Sequence, residues 1–396
     1  MMGNSDPQPT FYYNISLEKF VPEEHPFRAI RPLIDTAKIR ELCKDLYAPI
    51  GRPSIPPEQL FLALLGGYLL GVTSERKLVL ELQCNMALRW FVGLDLDEDA
   101  WDASTFSQNR RRRFDRSGVL EKLFDETVKR AMAEGLVSRH VSADGTLVRA
   151  NASFKSFEPI EVDMAPEEYK RHLRAQDSDE DKLEEVKKEP QGSGPEDPGN
   201  PSVDFRGEKR SNKTHRSKTD PDCRFVSKGT SGTGAYPGYT VNALMENRNR
   251  ILLGMGVEVF QGCTSEERGC TELLDRAKKR FRYVPKSLGA DRGFFHQGFI
   301  EEVIKRAIEP HIAVERRGSS QSHSRVRMRE RGCGYQHSQR CRKKIEELFG
   351  EAKEWHGLRR FRRRGLERVR EETWLIGWVL NLKRLAKLSI PAQVCT

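Results

Sequence analysis

Apolar residues in the first 135 positions recur at helical spacing, interrupted by capping residues. Pro56-Pro57-Glu58 opens a helix through Leu60-Phe-Leu-Ala-Leu-Leu65, with proline in its first turn. Thr73-Ser74-Glu75 starts a second, through Leu78, Leu80 and Leu82, and Asp102 to Thr105 begins a third. Leu120, Leu123, Phe124 and Val128 keep the spacing of a fourth. This pattern predicts an all-α amino-terminal domain over 1–135, with candidate helix-turn-helix units.

From about Gly135 the period shortens. Strands are predicted at His140 to Ala150, Tyr239 to Met245 and Ile251 to Phe260, with a hairpin turn at Glu246-Asn-Arg-Asn-Arg250. A Thr-Ser-Glu-Glu cap starts a helix from Thr264 to Arg280. A strand ending at Asp291, a helix near Gln297 to Arg306, a strand near His311 to Val314 and a basic helix complete the order. Three antiparallel strands followed by helix-strand-helix-strand-helix is the order of a ribonuclease H-like α/β fold. That fold is a mixed sheet with helices on both faces, here over 136–390. The interval of about 155–236 reads as a flexible insertion. It holds Asp177-Ser-Asp-Glu-Asp181 and a Pro/Gly-rich run from Pro190 to Pro201, too polar to build a core. The glycine-rich run Lys228 to Gly234 lacks a Gly-Lys-Ser/Thr ending and a preceding strand, so it reads as a loop.

The chain of 396 residues carries a net charge of +10, which favours an anionic partner such as nucleic acid. Eight cysteines include no Cys-x-x-Cys pair. Cys333, His337 and Cys341 lack the second pair that would complete a zinc site. Scattered thiols, no leader-like start and no apolar run beyond Leu60 to Val72 fit a soluble, cytoplasmic protein without a membrane segment.

Three acids carry the chemistry. Asp144 lies within the first predicted strand, Asp291 ends the fourth, and Glu346 sits on the basic helix. Two carboxylates from neighbouring strands and one from a late helix suit a pair of magnesium or manganese ions, which prefer hard oxygen ligands. Gly145 and Gly293 remove bulk beside the two aspartates. At about 100° per residue, Arg342, Glu346 and Lys353 share one stripe within about 40°, Phe349 borders it, and Glu347 points elsewhere. Asp220 and Asp222 are runner-up acids with a secondary role. Two basic clusters suggest phosphate contacts: Arg110, Arg111, Arg112 and Arg113, and Arg362, Arg363 and Arg364. The second lies in a segment from Arg340 to Arg370 with twelve Lys and Arg against five Glu. Sequence-specific recognition is assigned to the helices before residue 135.

These motifs, taken as a set, resemble the DDE transposases of bacterial insertion sequences, in the IS-four/IS-five-like group. The likeness runs through Tyr47 to Pro57, Arg89-Trp-Phe-Val-Gly-Leu94, Ala143-Asp-Gly-Thr146, Thr219-Asp-Pro-Asp222 and Leu244-Met-Glu-Asn-Arg248. It continues through Ala290-Asp-Arg-Gly293, Ile345-Glu-Glu-Leu-Phe-Gly350, Trp355 to Gly365 and Asn381-Leu-Lys-Arg384. The family signature is Tyr, two residues, Arg, three, Glu, six, Lys. Arg342, Glu346 and Lys353 match it, whereas Gln339 stands at the tyrosine position. The resemblance implies Asp144, Asp291 and Glu346 as the metal-binding catalytic triad, with Arg342 and Lys353 holding DNA near the scissile phosphate. It further implies two-metal cleavage at element ends, 3′-hydroxyl strand transfer into target DNA, and a homodimer on duplex DNA in a bacterial nucleoid. The rival readings are a nuclease of the same fold that does not join strands, and a DNA-binding protein with an inactive site.

Overall fold

The computed structural model describes residues 16–51, 53–160, 204–205, 208–227, 234–262, 264–316 and 320–389. Among the described residues, eight α-helices precede the first strand: α1 (Leu17–Phe20), α2 (Pro26–Ile30), α3 (Thr36–Cys43), α4 (Pro57–Leu69), α5 (Glu75–Cys84), α6 (Met86–Val92), α7 (Ala103–Asn109) and α8 (Val119–Ala133). Asp35, Asn85 and Asp102 cap α3, α6 and α7, each side chain accepting a backbone N–H of the first turn. α4 is buried nearly all round, from Leu60 to Tyr68, and forms the centre of the helical region.

A six-stranded mixed sheet follows. Its strands are β1 (His140–Arg149), β2 (Arg224–Val226), β3 (Tyr236–Glu246), β4 (Leu252–Glu258), β5 (Ser287–Ala290) and β6 (Glu309–Ile312). The order is β6-β5-β1-β3, with β2 and β4 placed end to end along the outer edge of β3. β5 pairs in parallel with β1 and β6, whereas β3 pairs antiparallel with β1, β2 and β4. Burial along almost all of β3 follows from that central position.

Helix α9 (Thr264–Phe281) covers one face. α10 (Gln297–Lys305) connects β5 to β6. α11 (Gln321–Arg329), α12 (Cys333–Trp355) and α13 (Leu366–Ser389) complete the chain. Gly289 on β5 faces Ser338 of α12, and a Cβ on Gly377 of α13 would come 3.7 Å from Met255 of β4. α12 and α13 thus cover the face opposite α9, so helices flank the sheet on both sides.

α13 packs on α8, β4, α2 and α4. The Asn381 side chain accepts from Leu252 N at 2.9 Å and donates to Leu252 O at 2.9 Å, standing in for a neighbouring strand at the start of β4. One continuous buried cluster therefore runs from Phe27 in α2 to Ala386 in α13 and takes in the sheet.

Three sequence expectations change. The strand near His311 to Val314 begins earlier, at Glu309, because its parallel partner Ser287–Ala290 fixes the paired segment. α12 begins nine residues before Arg342, at Cys333. The insertion is not flexible throughout. Phe157–Pro159 pairs with His215–Ser217, β2 joins the main sheet, and Asp220 is fully buried. The acidic stretch from Asp177, the Pro/Gly run from Pro190 and residues 228–233 lie outside the described residues.

Candidate active site

Strand pairing brings the two aspartates together. In the parallel ladder of β1 and β5, Ser142 stands opposite Gly289. Two residues further along that register, Asp144 comes level with Asp291. Neighbouring strands lie about 4.8 Å apart, and residues level in a parallel pair point to the same face. That face is the one α12 covers, because Gly289 there meets Ser142 and Ser338.

The pair is electrostatically unfavourable as it stands. Burial, and after it the nearby Asp291 charge, push the Asp144 carboxyl up to about 7. The Gly145 amide, donating to Asp144 Oδ1 at 2.9 Å, and the Arg342 charge oppose the shift. Asp291 Oδ1 is buried and has no hydrogen-bond partner. A Cβ on Gly293 would come 3.1 Å from that same oxygen, so the glycine keeps the space beside it open. Gly145 serves a different purpose from the one its sequence suggests. Its missing Cβ accommodates Glu266 and Asn242 on the α9 face, away from the aspartates.

α12 supplies the remaining groups. Arg342 Nη1 donates to Glu346 Oε1 at 3.0 Å, and the Arg342 charge also reaches Asp144. Glu346 is mostly exposed at 59% and is linked to the aspartate pair through Arg342. Among the described residues, no three Asp, Glu, His or Cys side chains converge closely enough to hold a metal ion. Lys353 Nζ donates to Thr146 Oγ1 at 2.6 Å, two residues beyond Asp144 on the same face of β1. Gln339, at the position where the resemblance expects tyrosine, donates to Ala290 O at 3.2 Å and fixes the strand end just before Asp291. Glu347 points off the stripe to a surface ion pair with Arg250 at 2.8 Å, and Phe349 is buried. Cys341 lies 3.5 Å from His337, whereas Cys333 is exposed.

The donor chemistry fits a divalent cation. The two paired carboxylates supply hard oxygens, one of them buried without a partner and the other pushed up toward neutrality. A cation between them would relieve both conditions.

Arg110 and Arg111 of the first arginine cluster and Arg362, Arg363 and Arg364 of the second line one groove of about 550 Å³. Some of their members are committed inside the protein. Arg110 pairs with Glu75 at 2.9 Å, and Arg113 stacks on Tyr47 and donates to Ser54. Arg363 is held by Asp115. Arg111, Arg112, Arg362 and Arg364 are exposed. Asp220 and Asp222 have a structural role that sequence reasoning missed. Asp220 Oδ1 accepts from Tyr239 Oη at 2.6 Å and from Gly365 N at 3.0 Å, and Asp222 Oδ2 accepts from Leu366 N at 2.9 Å. No sequence signal linked these acids to a loop more than 140 residues away.

Comparison with known families gives two matches. Residues 203–382 match the family described as a Transposase DDE domain, and residues 15–112 match that described as a Transposase domain (DUF772). No curated protein and no solved structure matches the chain. Among the described residues, no helix is long and apolar enough to cross a membrane.

Proposed function

From a chain that belongs with the insertion-sequence DDE transposases, we propose that Asp144, Asp291 and Glu346 form its catalytic set. Asp144 and Asp291 would hold magnesium or manganese between them, and Glu346 would complete the set from α12. Bound there, a pair of such ions supplies an activated water or hydroxyl and neutralises charge on the leaving oxygen. The observation that carries this reading is the Asp144–Asp291 pair, level in one ladder, with a buried unpartnered oxygen at Asp291.

The surrounding residues have derivable tasks. Arg342 holds Glu346 and offers positive charge to a phosphate. Lys353 anchors α12 to β1 through Thr146 and presents an ammonium on the same face. Gln339 fixes the carbonyl before Asp291 and so sets where that carboxylate stands. The strand order and the helices on both faces support a ribonuclease H-like catalytic domain over 136–390. The helices over 1–135 are proposed to read the element ends. Exposed Arg111, Arg112, Arg362 and Arg364 are proposed to hold DNA backbone. The reaction is hydrolysis at the element end followed by attack of the freed 3′-hydroxyl on target DNA, carried out by a homodimer on duplex DNA. Membership of the IS-four/IS-five-like group remains part of this proposal, carried by Arg342, Glu346 and Lys353 at the signature spacing.

The test uses the full chain with labelled duplexes carrying the element's terminal repeats and a plasmid target. Magnesium-dependent nicking and joined products are expected. Nicking without joined products would assign a nuclease. Neither reaction, with duplex binding intact, would assign a DNA-binding protein.

A further inference from the structure

The groove between the two arginine clusters contains a second ordered device. The loop from Phe361 to Leu366 has its amides gathered by three acids, Glu372 of the following helix and Asp220 and Asp222 from a distant segment. Glu372, fully buried, accepts from Arg362 N at 3.1 Å and Arg363 N at 3.1 Å. Asp220 takes Gly365 N, and Asp222 takes Leu366 N. Phe361 N donates to Arg149 O at 2.9 Å, which ties the loop to the end of β1. With its backbone held inward, the loop presents the side chains of Arg362 and Arg364 outward. Both are fixed further: Arg362 Nε donates to Thr73 Oγ1 at 2.6 Å, and Arg364 Nε donates to Asn151 O at 3.0 Å.

Across the groove stand Arg76 on α5 and Arg111 in the turn after α7, both exposed. The groove's acids are already neutralised. Glu75 pairs with Arg110, and Asp115 pairs with Arg363 and with Arg368 at 3.1 Å. Arg76, Arg111, Arg362 and Arg364 have no carboxylate partner among the described residues. Four uncompensated guanidinium groups, from three separate stretches of chain, therefore face one open groove. Ordering Arg362 and Arg364 costs little side-chain entropy on binding, since their side chains are already held by Thr73 and Asn151.

We infer that this groove is a single binding site for the sugar-phosphate backbone of duplex DNA, reached by Arg76, Arg111, Arg362 and Arg364 together. The inference rests on the transposase reading only for its choice of polyanion. The site is separate from the reacting phosphate. Asp144 and Arg149 are five residues apart on β1, so the groove begins about 17 Å from the aspartates, the rise of roughly five base pairs.

The test is fluorescence anisotropy of a labelled 40-bp mixed-sequence duplex with the full chain, across a salt series and without divalent metal. Each of Arg76→Gln, Arg111→Gln, Arg362→Gln and Arg364→Gln is expected to flatten the slope of log affinity against log salt by about 0.9, and the quadruple variant by about 3.6. Lys279→Gln, on exposed α9 surface, serves as the control and leaves the slope unchanged. Circular dichroism confirms that each variant is folded. If Arg76→Gln and Arg111→Gln behave like the control while Arg362→Gln and Arg364→Gln do not, the clusters do not share one backbone and the inference fails. It fails equally if millimolar inorganic phosphate, at fixed ionic strength, displaces the duplex completely, because the groove is then a small-anion pocket. Cleavage plays no part in this readout. A chain that shows the slopes but never nicks DNA would overturn the transposase reading and leave the groove standing.

Discussion

Replacing Asp144 with Asn should inactivate the protein and stabilise it. Asn keeps the size of the side chain and an oxygen to accept from the Gly145 amide. It removes a buried charge beside Asp291. An ordinary aspartate titrates near ~3.9, whereas burial and Asp291 hold Asp144 at about 7. A raised carboxyl favours the folded state below ~3.9, and that advantage is lost as pH rises to about 7. At ~1.4 kcal/mol per tenfold, the charged form costs the fold about 4 kcal/mol at pH 8 and about 1.5 kcal/mol at pH 5. Unfolding entropy of roughly 0.8 kcal/mol/K for a chain of this length turns these figures into about 5 °C and about 2 °C. Differential scanning fluorimetry at the two pH values reads both. Asp144→Asn should melt about 5 °C above the parent at pH 8 and about 2 °C above it at pH 5, with no cleavage at either. Millimolar magnesium should raise the parent's midpoint at pH 8 and leave the variant's unchanged. An equal advantage at both pH values, or an equal magnesium shift in both proteins, would refute the account of the aspartate pair.

Glu346→Gln should abolish nicking, whereas Glu347→Gln should retain most of it, since Glu347 only meets Arg250 at the surface; a gel-based nicking assay on both variants decides whether the α12 register is right. Magnesium or manganese should support nicking and excess chelator should stop it, and elemental analysis should find no stoichiometric zinc, because Cys333, His337 and Cys341 do not converge as a metal-holding group among the described residues. Asn381→Leu leaves Leu252 N and O buried without partners, so chemical denaturation should show a loss of about 2–5 kcal/mol; a loss under 1 kcal/mol would mean that α13 is not fastened there.

The parts of this fold that sequence made legible are those whose signals are local. The Thr-Ser-Glu-Glu start at Thr264 and the turn from Glu246 to Arg250 marked elements that the structure places within a few residues. α13 went unread because Leu375 to Leu382 is buried on every side, which erases helical periodicity. β2 is three residues long and stands out only by its pairing with β3. In the candidate site, the level pairing of Asp144 and Asp291 followed from strand order. The use of Arg363 for Asp115, and of Asp220 for the Gly365 amide, depended on contacts across more than 140 residues. A run of arginines looks uniform in sequence, and only the positions of the acids separate those that brace the fold from those that face solvent.

The placement of α13 also sets an order of events during synthesis. Its partners α2, α4 and α8 leave the ribosome first, and the whole sheet is made before α13 follows. At ~10 residues per second that interval is on the order of tens of seconds. Throughout it the apolar surfaces of the early helices lack their last neighbour, and Glu372 is not yet present to gather the amides of Arg362 and Arg363. The arginine loop can take its final shape only after Glu372 has been made, so the early helices and the sheet are completed together by α13 rather than domain by domain.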